Sequence, residues 1–102
     1  MGESFRNSTL VVGTDSALVS EALIGNAQRK VLTITNVSGA GQVIYLSFDD
    51  EARVGYGIPL WPTGAWSESM DSAFLPANVR VFAVASAAAG AVAIHERILS
   101  RD

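Results

Sequence analysis

Few residues in this chain combine a reactive type with a useful spacing. Asp49-Asp50-Glu51 is the main acidic cluster, and neighbouring carboxylates can hold a divalent cation. It lacks the spacing and the mid-loop glycine of an EF-hand loop, so a solvated turn is the stronger reading. His95-Glu96-Arg97 offers an imidazole beside a carboxylate. On an extended strand, alternation points Glu96 away from both neighbours, so the two cannot act as a dyad without a bend. A surface or interface imidazole is the preferred reading of His95. Ser and Thr are abundant, but a hydroxyl nucleophile needs a base within hydrogen-bond reach. No Gly-x-Ser-x-Gly elbow accompanies the single histidine. Gly39-Ala40-Gly41 and Gly55-Tyr56-Gly57 lack the Lys and the following helix of a phosphate cradle, and read as turns. Tyr56, Trp61 and Trp66 could form a stacking platform for a sugar, or could anchor a small core. No catalytic, metal or cofactor-binding residue emerges, and the chain reads as a non-enzyme.

Composition narrows the classes further. The 102 residues include no cysteine, which removes disulfides, thiolate nucleophiles and Cys-ligated zinc. Seven basic against ten acidic residues give a net charge of −3. Such a balance offers no field for a polyphosphate, so no nucleic-acid partner is expected. Charged residues are 17% of the chain, against about 25% in ordinary domains, while hydrophobic residues reach 49%. A small domain has trouble hiding that much apolar surface alone, and self-association is expected. The run Val81–Ile94 is too short for a membrane span, which takes about 20 residues. Neither a membrane partner nor a signal peptide is expected, since the polar start Met1–Asn7 has no apolar h-region.

The elements that would carry these residues are strands. Residues 1–16 mix polar residues around Leu10-Val11-Val12 and read as an N-terminal arm ordered against a partner, or as a frayed end with a short edge strand. Residues 17–24 fit two turns of helix capped by Ser16, or a strand, and strand is preferred. Lys30–Val37 alternates β-branched residues and, with Val43–Phe48 across Ser38–Gly41, is expected to form a hairpin. Pro59 makes 58–60 a short edge strand, and Pro62 with Gly64 matches a type I turn. Ala65–Met70 is a further strand. Seven Ala between 83 and 93 tempt a helix assignment, but the valines and Gly90 argue for a second hairpin, 79–87 with 91–99. About seven short strands in residues 17–102 predict an all-β antiparallel sandwich or small barrel.

An ordered series then stands out: Arg29-Lys30-x-Leu32-x-Ile34-x-Asn36-x-Ser38, Val43–Phe48, Gly57-Ile58-Pro59-Leu60-x-Pro62-x-Gly64, Val81–Ala85 and Val92-Ala93-Ile94-x-Glu96. Over residues 17–98 it resembles the small β-sandwich structural proteins of tailed bacteriophages, of the capsid decoration (cement) type. The resemblance implies a virion protein, made in the host cytoplasm, that stabilises the phage head. It implies a homo-oligomer, a trimer by analogy, bridging subunits of the major capsid protein without a cofactor. Many weak contacts repeated by symmetry would add up there. On this reading the arm carries the capsid or subunit interface at Phe5, Leu10, Val11 and Val12. Burying that quartet would contribute roughly several kcal/mol per copy before ordering costs. The alternative is a receptor- or glycan-binding module of a tail or head fibre.

Overall fold

A computed structural model describes residues 2–23, 27–39, 41–69 and 78–100. Ile24, Gly25, Asn26, Ala40 and Met70, which some of the expectations touched, lie outside that set. The described residues form eight strands and no helix. These are β1 (Gly2–Val12), β2 (Ala17–Ser20), β3 (Ala27–Asn36), β4 (Ile44–Phe48), β5 (Ile58–Leu60), β6 (Ala65–Ser69), β7 (Val81–Ala85) and β8 (Gly90–Ser100). They make two antiparallel four-stranded sheets, ordered β1-β8-β3-β6 and β2-β7-β4-β5. The all-β sandwich is what the alternation predicts.

Period-two patterning decides which side chains meet between the sheets. Leu32, Ile34, Val92 and Ile94 from the first sheet face Ile44, Leu46, Val81, Ala83 and Ala85 from the second, all buried in one core. The alanines let the layers come close. At Gly90 a Cβ would meet the Cβ of Ala85 at 2.8 Å and the carbonyl of Val12 at 2.8 Å, so the crossover from β7 to β8 has no room for a side chain. Gly57 is fixed for a second reason. It has φ +84° and its absent Cβ points into the backbone of Leu46, the residue opposite Ile58.

Both expected hairpins are corrected. β3 pairs with β6 and β8, whereas β4 pairs with β5 and β7, so the Ser38–Gly41 connection crosses between sheets. β7 and β8 likewise lie in opposite sheets. Consecutive strands of a sandwich can each bury a face in the same core without exchanging a hydrogen bond. The short Pro59 strand does sit at a sheet edge. The Pro62 turn closes with the Gly64 N–H donating to the Trp61 carbonyl at 2.7 Å, but Thr63 has φ 66°. A left-handed third residue makes it type II rather than type I.

The arm expectation also changes. Residues 2–12 are β1, in unbroken register with β8 from Gly2↔Ser100 to Val12↔Gly90. It is an edge strand, far longer than a short one, and the sandwich begins at residue 2 rather than at 17. The two eleven-residue strands account for the long dimension of a body 43 × 23 × 23 Å.

Candidate functional site

The densest cluster of polar chemistry is buried between the sheets at one end of β3. A register shift between Arg29 and Val31 leaves Lys30 as the extra residue of a bulge. The bulge reverses the phase of alternation, so Arg29 turns inward on the same face as Leu32 and is fully buried. Its Nε donates to Glu96 Oε2 at 2.8 Å. Nη2 donates to Ser20 Oγ and to the Glu21 carbonyl, both at 2.7 Å, and Nη1 to the Val79 carbonyl at 2.8 Å. Ser20 Oγ and Arg6 Nη2 also donate to Glu96 Oε2, at 2.9 and 3.0 Å. Residues from β1, β2 and β3 thus converge on one carboxylate of β8. Burial alone would raise the Glu96 carboxyl above its usual value. The donors Arg29 and Ser20, with the positive charges of Arg6 and Arg29, outweigh that and hold it below.

With these donors engaged, the cluster ties the two sheets together. Sequence alternation alone missed Arg29, because it assigns that residue to the outward phase of Val31 and Thr33. One signal was present: Glu96 falls on the inward phase between Ile94 and Ile98, where a carboxylate requires a cation.

At the opposite end of β3, Asn36 is also fully buried. Its Nδ2 donates to the Gln42 and Leu60 carbonyls at 2.9 and 2.8 Å, and its Oδ1 accepts from the Ser38 N–H at 2.9 Å. Its backbone pairs with Thr63 and Gly64. This one residue therefore ties β3 to the crossover loop and β5 through its side chain, and to the Pro62 turn through its backbone.

The sequence candidates scatter. Strand pairing alternates the expected interface quartet: Phe5 and Val11 face out, 55% and 73% exposed, while Leu10 packs on the core and Val12 is inside it. Leu10 and Val12 are thus taken by the chain's own core, which corrects the expectation that all four meet a partner. His95 faces out, its Nδ1 2.6 Å from Asn7 Oδ1, with the Phe5 ring 6.5 Å away between centroids. The Arg97 guanidinium lies over Phe5 at 5.1 Å. Thr9, Thr33, Thr35 and Ala93 complete a shallow depression beside Asn7 and His95, of about 400 Å³. Asp49-Asp50-Glu51 ends β4 as a solvated turn, with Asp49 at φ 66° and Asp50 Oδ1 accepting from the Glu51 N–H at 2.8 Å. Among the described residues no group of three or more His, Asp or Glu side chains could hold a metal ion.

The three aromatics do not share one surface. Trp66 is half-buried and packs on the core. Tyr56 and Trp61, 68% and 65% exposed, stand before and after β5, with Val54 also exposed on the loop that leads to it. The Arg53 guanidinium lies 5.4 Å over the Tyr56 ring.

No known protein-family model matches this chain, and no curated protein matches it. A solved structure described as Bacillus endospore appendages that form a novel family of disulfide-linked pili is similar to it in fold. The TM-score is 0.60 at 13% identity, over 99% of this chain and 88% of that one. The likeness is one of architecture, shared across almost the whole length.

Proposed function

We propose that the protein is a non-catalytic virion component of the capsid decoration type, which adheres to neighbouring major capsid protein subunits and stabilises the phage head. The observation that carries this reading is the division of labour in the chain. Its buried charges join the two sheets, while large apolar side chains remain in solvent around β5: Val54, Tyr56 and Trp61. Scattered apolar residues on a surface are ordinary; two large aromatics flanking a three-residue edge strand form a corner suited to burial against another protein. The β1 segment, already paired within its own sheet, is assigned no reach across the capsid. The pilus protein of similar fold assembles through disulfides, whereas a cysteine-free chain must assemble by non-covalent contact. That requirement fits repeated weak contacts on a symmetric shell.

Cosedimentation with empty phage heads tests the proposal. Saturable binding is expected, weakened by Trp61→Ala and by Tyr56→Ala, neither of which touches the core. Heads that retain no protein would end it. The exposure of Trp61 also favours a second reading, a receptor- or glycan-binding module. Quenching of Trp fluorescence by a simple sugar, with no affinity for heads, would select that one.

A further inference from the structure

The four outer strands of the two sheets are not equally protected. β5 has three residues and Pro59. β2 has four, with a register shift between Leu18 and Ser20. β6 has five and follows directly on the Pro62 turn. β1 has eleven, with no proline and no register shift, and two charged residues, Glu3 and Arg6. Natural sheets blunt a long edge or cover it. Among the described residues nothing of this chain covers the far side of β1, and residues 2–9 are exposed.

We propose that this edge is covered by β1 of a second copy, antiparallel, about a two-fold axis perpendicular to the sheet at Ser8. The axis keeps outward faces outward, so residue i lies opposite residue 16 − i of the second copy. The argument for this register is the placing of the two apolar side chains that β1 leaves in solvent. Phe5 and Val11 lie on the same face, six residues apart, and only pairing centred on Ser8 sets each Phe5 opposite the second copy's Val11, twice over. Asn7 then faces the second copy's Thr9, and nine residues, Ser4–Val12, join the ladder. Centring on Arg6 would oppose two guanidinium groups, and centring on Asn7 would set Glu3 against Val11. Aromatic with β-branched is a favourable cross-strand pair. The product is one eight-stranded sheet with β6 at both ends, in place of the trimer that the phage resemblance implies. It stands independently of any capsid.

Because the chain has no cysteine, register can be read by cross-linking with one introduced thiol. Ser8→Cys is expected to form a disulfide-linked dimer on oxidation, since residues opposite one another across an antiparallel ladder lie within bridging distance. Thr9→Cys, staggered from its own copy by two residues, is expected not to. Sedimentation equilibrium is expected to give twice the 10.7 kDa chain mass. Phe5→Lys and Val11→Glu should each weaken the dimer by about tenfold, because each counts twice. The variant carrying both substitutions should restore it. Its introduced ammonium and carboxylate groups would pair across the two copies, being too far apart along one strand to pair within it. Circular dichroism confirms that each variant remains folded. A monomer at millimolar concentration, a trimer, or a dimer that cross-links at Thr9→Cys and not at Ser8→Cys would each overturn the proposal.

Discussion

β3 is fastened to the second sheet at both ends, by opposite means. At Asn36 one neutral amide satisfies two carbonyls and one N–H, from the nearby crossover loop and from the end of β5. At Arg29 a guanidinium and a carboxylate are both withdrawn from water and joined by groups from β1, β2, β8 and the segment before β7. The amide asks little of its surroundings: three partners and no charge to solvate. The ion pair demands complete partnering, because a buried charge left alone is far costlier than a buried amide left alone. Between the two knots lies an apolar core that closes by shape. The fold therefore has one end tolerant of pH and salt and one end sensitive to them.

The largest expected effect breaks the charged end. Arg29→Met leaves the buried Glu96 carboxylate only Ser20 and the half-exposed Arg6 as partners, and should destabilise the fold by about 3 kcal/mol, read from urea midpoints at constant m-value. Adding Glu96→Leu should recover part of that loss, since it removes the buried carboxylate that has lost its closest cation. At the neutral end, Asn36→Ala leaves buried carbonyls without donors and should cost about 2–3 kcal/mol, with no change in its dependence on pH or salt.

Acid titration separates the ends further. The Glu96 carboxyl is held below its usual value in the fold, so its contribution is present in full above the unfolded glutamate value of about 4.3. It is lost as pH falls through the lower, folded value. Glu96→Gln should flatten stability in that acid range, whereas Asn36→Ala should keep the wild-type slope. An Asn36→Ala slope as flat as that of Glu96→Gln would refute the division of roles. The smallest effect belongs to Arg6, whose side chain is 44% exposed. Arg6→Ala should cost at most about 1 kcal/mol, and added salt should shrink the difference from wild type.

What the sequence made legible follows from what alternation encodes. It marks inward faces, so β3, β4, β7 and the core residues Leu32, Ile34, Ile44 and Leu46 could be read in advance, as could the edge position of Pro59. It does not say which strand lies beside which. Val31–Asn36 and Ile44–Phe48 look like hairpin partners because a flexible glycine-containing loop joins them, yet each strand found its ladder elsewhere. Residues 1–16 read as an arm because Ser4, Asn7, Ser8 and Thr9 are polar. An edge strand facing solvent on one side tolerates that composition when a long, regular partner such as β8 supplies the hydrogen bonds. Arg29 was hidden by one extra residue, Lys30, which inverts the phase on which the whole inference depends.

β8 has one more consequence. It lies between β1 and β3 in the first sheet, yet it is the last of the eight strands to leave the ribosome. Until then β1 has no neighbour and β3 has only β6, so a nascent chain carries a sheet with its centre missing. The complete layer can form only once β8 is available, and ribosome-bound chains stopped at residue 89 should give protease no resistance in β1.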